Sequence, residues 1–209
     1  MRKFTTFILL CGIFITNSLK VSAQNADIDI LRDINNHSGT IETSQFISNS
    51  TTLVGASVPL ALGIAAFIEK DEDLLKSALC VGVSIGISVV STYTIKHAVG
   101  RPRPFITYPQ EITAYEEIHS NSFPSGHTSY AFATATALSL QYPKWYVIAP
   151  GYLWASSVGY SRMNLGVHYP SDVLAGALVG IGSAYLSYKM NDWLYGKPKK
   201  LLKLDEYFL

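Results

Sequence analysis

The chain has 209 residues, 48% of them hydrophobic and only 15% charged, with Lys+Arg 16 against Asp+Glu 15 for a formal net charge of +1. That balance leaves no cationic excess with which to hold nucleic acid, and charge is sparse beside the roughly one quarter found in an ordinary soluble domain. The length suits one domain with a sizeable core, and the two cysteines, Cys11 and Cys80, both sit in apolar runs and imply no disulfide framework.

Residues 1–23 read as a secretory signal: a basic pair at Arg2 and Lys3, an apolar run over 4–15, and Val21-Ser22-Ala23 as a small-residue cleavage site before Gln24. The alternative, a first membrane helix, is short, with about 12 apolar residues where a bilayer crossing takes roughly 20. Leu10 stands where a lipoprotein site has a small residue, so Cys11 is no lipid anchor. Residues 24–51 are polar, with Leu31, Ile34, Ile41, Phe46 and Ile47 at loose helical spacing, and are expected to form an exported amphipathic segment.

Five apolar segments follow, at 52–68, 73–95, 127–142, 145–160 and 173–188, within an expected helical core of 52–195. Each is too long for a strand, lacks alternation and is rich in Ala, Gly, Leu and Ser, so the fold class is all-α. Small residues four apart, Gly82 with Gly86 and Gly176 with Gly180, suit helices that approach closely in lipid. Aromatics at segment ends (Tyr142, Trp145, Tyr146, Tyr188, Trp193 and Tyr195) suit an interfacial belt. The expectation is a membrane helical bundle of five to six helices with its active site at their outer ends. Counting crossings from an exported residue 24 leaves the tail 196–209 inside, where Lys197, Lys199, Lys200 and Lys203, with Lys189 just before, fit the positive-inside rule.

Three polar islands interrupt the apolar runs, and all fall on the outer side of that topology. In KHAVGRPRP, residues 96–104, the prolines stop any helix and hold Arg101 and Arg103 extended beyond Lys96, so three cations share one loop. In NSFPSGHTSY, residues 121–130, Ser125 and Gly126 open a helix whose free N–H groups and dipole favour an anion, with His127 in the first turn. In SRMNLGVHYPSD, residues 161–172, Pro170 starts a helix that puts Asp172 within reach of His168, a pairing that fixes the ring tautomer and frees the other nitrogen as nucleophile or base. A metal site is the competing reading of His168 and Asp172, with His127 and His119 as further ligands, but Lys96, Arg103 and Arg162 would repel a cation.

Lys96-x6-Arg103-Pro104, Pro124-Ser125-Gly126-His127 and Ser161-Arg162-x5-His168-x3-Asp172 together resemble the three-part signature of the type 2 phosphatidic acid phosphatase superfamily, shared with class A acid phosphatases and vanadium haloperoxidases. The resemblance implies a phosphatase that needs no metal and no cofactor. His168 would be the nucleophile, Asp172 its orienting partner and His127 the acid and base. Lys96, Arg103, Ser125, Gly126 and Arg162 would hold the phosphate. It further implies a bacterial inner-membrane enzyme facing the periplasm and acting on polyprenyl diphosphate, lipid A, phosphatidic acid or phosphatidylglycerol phosphate. The alternatives it leaves are a soluble periplasmic acid phosphatase and, more remotely, a vanadate-dependent haloperoxidase.

Overall fold

The computed structural model describes residues 26–36 and 38–195; the expected signal segment 1–23 with its cleavage site, and the basic tail 196–209, lie outside the described residues. Residues 26–35 form α1. A short 3-10 turn, Ser38–Thr40, leads into α2 (Ile41–Glu69), α3 (Glu72–Val99), a single turn α4 (Pro104–Thr107), α5 (Gly126–Gln141), α6 (Trp145–Asn164) and α7 (Pro170–Tyr195). No strand occurs among the described residues. The all-α expectation holds.

The helices run up and down, and their ends carry clear local signals. Asp71 caps α3 by accepting the N–H groups of Asp73 and Leu74 at 2.8 and 3.1 Å. At the other end Gly100 takes the left-handed conformation, φ 63°, and its N–H closes on the Lys96 carbonyl, so the chain leaves the helix just past Lys96. Arg103 caps α4, whose first residue is Pro104. The expected boundary between residues 51 and 52 is absent: α2 is continuous from Ile41, because no Gly or Pro breaks the chain there and its buried face carries on through Ser44, Ser48 and Thr51. α6 and α7 likewise run past the apolar cores of their segments.

The interior is small and partly polar, and the exterior is large and apolar. Helix α5 packs on α2, α3, α6 and α7, and its buried positions are all Ala, Ser, Thr or Gln. The hydroxyls of Ser84, Thr134, Ser139 and Ser183 bond back to carbonyls four residues earlier, which satisfies them without water. Leu53, Leu60 and Phe67 on α2, Leu79 and Val90 on α3, Leu153 on α6, and Leu174 and Leu178 on α7 point outward. Such an inverted distribution is what lipid, not water, stabilises, since apolar side chains gain nothing by being inside. By length and composition, Ile41–Glu69, the run Glu72–Thr107 and Pro170–Tyr195 can cross a bilayer. The shorter α5 is shielded by its neighbours.

The two glycine pairs divide. A Cβ at Gly176 would lie 2.5 Å from the Ser125 carbonyl oxygen, and one at Gly180 would lie 2.3 Å from that of Ser129, so α7 and α5 touch backbone to backbone. Gly82 meets only Pro59 at 3.9 Å and Gly86 meets nothing within 4 Å, so this pair makes no close approach. The aromatic belt is also narrower than expected: Trp145, Tyr146, Trp193 and Tyr195 are exposed, but Tyr188 is buried.

Candidate active site

The C-terminal ends of α3 and α6 and the N-terminal ends of α5 and α7 meet at one end of the bundle, so residues far apart in sequence converge there. The sequence 165–169 hands the chain from α6 to α7 through Gly166, at φ 71°, where a Cβ would lie 2.2 Å from the Thr113 carbonyl oxygen. That tight passage places His168 and Asp172, both buried, beneath the loop 108–125.

His168 presents Nδ1 to Asp172 Oδ2 at 3.5 Å and Nε2 to Arg103 Nη1 at 3.3 Å. These partners assign the proton to Nδ1 and leave Nε2 with its lone pair facing the cationic side. Burial, ahead of the charges on Arg103 and Arg162, pushes the imidazole down to about 3 despite the pull of Asp172, so it stays neutral and nucleophilic near pH 7. The expected contact between Asp172 and the ring is present but longer than an ordinary hydrogen bond. Ser122 shares the carboxylate: its hydroxyl donates to Asp172 Oδ2 and lies 3.5 Å from His168 Nδ1. The Tyr169 N–H donates to the same oxygen at 3.0 Å, and Arg101 Nη1 donates to Oδ1 at 2.7 Å.

The cations play unequal parts. Lys96 Nζ donates to the carbonyls of Asn121 and Ser122 at 2.7 and 3.2 Å. Arg103 is engaged along its whole guanidinium, Nε with the Ser120 carbonyl, Nη1 with the Val167 carbonyl, and Nη2 with Ser120 Oγ and the Asn121 carbonyl. Arg162, fully buried, has Nη1 held by Ser48 Oγ and by Glu116 at 2.8 Å, whereas its Nε and Nη2 have no partner. A buried guanidinium edge without acceptors is costly, and its fork matches two oxygens of a tetrahedral anion. Arg101 does not join them; it turns to the far side of Asp172, so only two cations of the first island face the cradle.

At the start of α5, Ser125 is the N-cap, but its N–H donates to the Asp172 carbonyl at 2.9 Å, so the cradle of free N–H groups begins at Gly126. His127 follows. Together with Lys96, Gly126 and Ser120 it lines a cavity of about 360 Å³ that continues along Thr51, Thr52, Ser88, Val89, Thr92, Tyr93 and Tyr130. Val89 and Tyr93 lie on the exposed, outward face of α3, so the cavity opens on the apolar flank of the bundle between α2 and α3.

The model of the PAP2 superfamily matches residues 77–195, more than half of the chain. The chain belongs to that superfamily. It is 41% identical over 118 residues to a lipid A 1-phosphatase of Porphyromonas gingivalis, covering 53% of this chain and 24% of that protein. To an undecaprenyl-diphosphatase of Sulfolobus acidocaldarius it is 33% identical over 115 residues, covering 55% of each. The chain thus spans about half or less of the length of these curated relatives. Among solved structures, LpxE of Aquifex aeolicus superposes with a TM-score of 0.64 at 32% identity, covering 78% of this chain and 95% of that one. A membrane PAP2-type phosphatidylglycerolphosphate phosphatase of Bacillus subtilis shares the fold, with a TM-score of 0.68 at 24% identity over 83% of this chain and 88% of that one. With its outward apolar faces, this chain is a membrane member of the superfamily.

Every site residue named from the three islands lies inside the matched region. Several residues that hold them were not legible in the motifs. Ser122 sits two residues before Pro124 of the second island and would have been found only by asking what else could reach Asp172. Glu116, Ser48 and Asp27 come from a loop and from helices with no motif at all, and the last two lie outside residues 77–195.

Proposed function

We propose that this membrane protein is a metal-independent phosphatase that hydrolyses a lipid phosphate or diphosphate through a phosphohistidine intermediate. The observation that carries the reading is the unpartnered, buried Nε and Nη2 edge of Arg162 among Lys96, Arg103 and His168, a ready receptor for a tetrahedral anion. In the first step His168 Nε2 attacks phosphorus in line as the bond to the leaving oxygen breaks, and His127 gives that oxygen a proton; burial and the charges of Arg162, Arg103 and Lys96 push this imidazole down to about 3, so its acid role requires the charge of the bound anion to offset those cations. Asp172 stabilises the imidazolium that forms, while Arg162, Lys96, the charge of Arg103 and the N–H groups from Gly126 onward receive the equatorial oxygens. In the second step His127 takes a proton from water, which attacks phosphorus and breaks the P–N bond, releasing phosphate and restoring His168.

The cavity supports a lipid substrate. Lys96 and His127 stand at its polar end, its walls toward Val89 and Tyr93 are apolar, and it opens on the flank that faces lipid. A headgroup can reach the cradle while its chains stay in the leaflet, an arrangement a soluble phosphomonoesterase has no need of. The names of the relatives point to lipid A, undecaprenyl diphosphate or phosphatidylglycerol phosphate as the class. On this reading the site end faces the periplasm from a bacterial inner membrane; the lysines at the opposite end, Lys70, Lys76, Lys144 and Lys189, support an inner-side position for that end.

The test is phosphate release by detergent-extracted protein and by His168→Ala, offered lipid A, polyprenyl diphosphate, phosphatidic acid, phosphatidylglycerol phosphate and a water-soluble ester. Release from lipids that is lost in the variant, with an acid-labile phosphoenzyme trapped on the wild type, supports the reading. Preference for the soluble ester, or release that survives His168→Ala, overturns it.

A further inference from the structure

Helix α1 lies across the active end of the bundle and brings a carboxylate to the back of the catalytic aspartate. Its docking is apolar: Ile28 and Leu31 are buried with Ile112 and Tyr169 against Phe105, Tyr108 and Met163. Asn35 fastens its other end, donating to the carbonyls of Thr113 and Asn164 at 3.0 and 2.9 Å. Asp27 takes no part in that packing. Its Oδ2 accepts from Arg101 Nη2 at 2.9 Å and from the Ser171 hydroxyl, and its Oδ1 accepts from the Ser171 N–H at 2.9 Å, in the first turn of α7.

Arg101 carries this contact to the site. Its Nη1 donates to Asp172 Oδ1 and to Ser171 Oγ, both at 2.7 Å, while its guanidinium lies 3.8 Å from the centre of the Tyr169 ring. A row of alternating charge results, Asp27, Arg101, Asp172 and the imidazolium that His168 becomes on attack. The row matters because Arg101 alone would work against the reaction. A cation 2.7 Å from Asp172 drains the negative charge that must stabilise His168, and it can draw the carboxylate from Nδ1, already 3.5 Å away. A second carboxylate on the far side of Arg101 shares that cation, and it fixes the fork so that Nη2 serves Asp27 while Nη1 serves Asp172 and Ser171 Oγ.

We propose that Asp27 is a positioning residue for the reaction, acting through Arg101 on Asp172, so that α1 is a working part of the active site although it lies outside the superfamily match. The proposal rests on the phosphatase reading. It commits to an effect on the chemical step and not on phosphate binding, since Asp27 touches no group of the cradle.

The test is a double-mutant cycle on the full chain with Asp27→Asn, Arg101→Gln and both together, followed by steady-state phosphate release, inhibition by inorganic phosphate and thermal unfolding. His168→Ala runs beside them. Asp27→Asn keeps the shape of the side chain and the apolar docking of α1, so its thermal midpoint stays close to that of the wild type. We expect its kcat to fall about tenfold, with KM and the inhibition constant of phosphate changed less than about twofold, as when one partly buried charge partner is lost. Added to Arg101→Gln, the same substitution should cost nothing further, because its route to Asp172 is already cut. An unchanged kcat overturns the proposal. So does a loss that adds in full to that of Arg101→Gln and follows a lowered thermal midpoint, which marks a merely structural contact. Release that persists in His168→Ala would sink the phosphatase reading instead, so the two failures are distinguishable.

Discussion

Replacing Gly176 with alanine tests how tightly the floor of the site is built. The new methyl would sit 2.5 Å from the Ser125 carbonyl oxygen and 3.2 Å from Thr128 Cβ, and its nearest neighbour is backbone that no rotamer change can move aside. Relieving the contact requires α7 to part from α5 by roughly 1 Å, and overpacking of this kind costs about 1–3 kcal/mol, partly offset by the better helix propensity of alanine. The same movement separates the Ser125 N–H from the Asp172 carbonyl and shifts Gly126 and His127 relative to His168. A misplacement of about 1 Å in a reacting constellation costs on the order of a hundredfold in rate. Gly86→Ala is the matched control: the space around it is open, so alanine should leave kcat alone and raise the unfolding midpoint slightly. The assay is lipid-phosphate release in detergent with thermal unfolding on the same preparations. A Gly176→Ala protein with wild-type kcat and midpoint would refute the reasoning, as would equal losses in the two variants.

Arg162→Lys should lower kcat/KM by about two orders of magnitude and weaken inhibition by inorganic phosphate, because one ammonium cannot replace a fork whose Nη1 is already committed to Ser48 and Glu116. Ser122→Ala should cost about tenfold or more in kcat, the worth of one hydrogen bond to a charged carboxylate, with KM unchanged. Since burial holds the His168 pKa near 3 in the folded protein against 6.5 for a free imidazole, the unfolded chain binds the extra proton between those values. Stability from this group therefore falls as pH drops below about 6.5, and the difference between the unfolding midpoints at pH 7 and at pH 5 should be smaller in His168→Gln than in the wild type, with His127 supplying the remainder. For the same reason His168 contributes no acid limb to the rate between pH 5 and 8, and any limb seen there belongs to another group.

The motif residues were readable because the chemistry of an anion site demands particular side chains at fixed local offsets. A spacing of four from His168 to Asp172, or a Ser-Gly-His opening a helix, are one-dimensional facts with one-dimensional consequences. Their helical setting was readable for a similar reason, since an apolar run of this length without alternation has few other solutions. Spacing and position in the chain did not reveal which way a side chain faces. Gly82 with Gly86 has the spacing of a packing motif but faces outward, and Tyr188 ends an apolar segment but turns inward. Arg101 shares a loop with Arg103 yet serves the opposite face of Asp172.

What the sequence by itself determined is the helical class of the fold and which residues are candidates for nucleophile, partner and anion ligand. These follow from residue type and short-range spacing. Only the tertiary structure decided which cations still have donors to offer, since the Arg103 guanidinium is consumed by loop carbonyls and that of Arg162 is left half free. It also decided that Ser48 and Asp27, distant in the chain, brace Arg162 and Arg101. Such pairings depend on which faces of which helices meet, and that is fixed by close packing of small residues over the whole bundle.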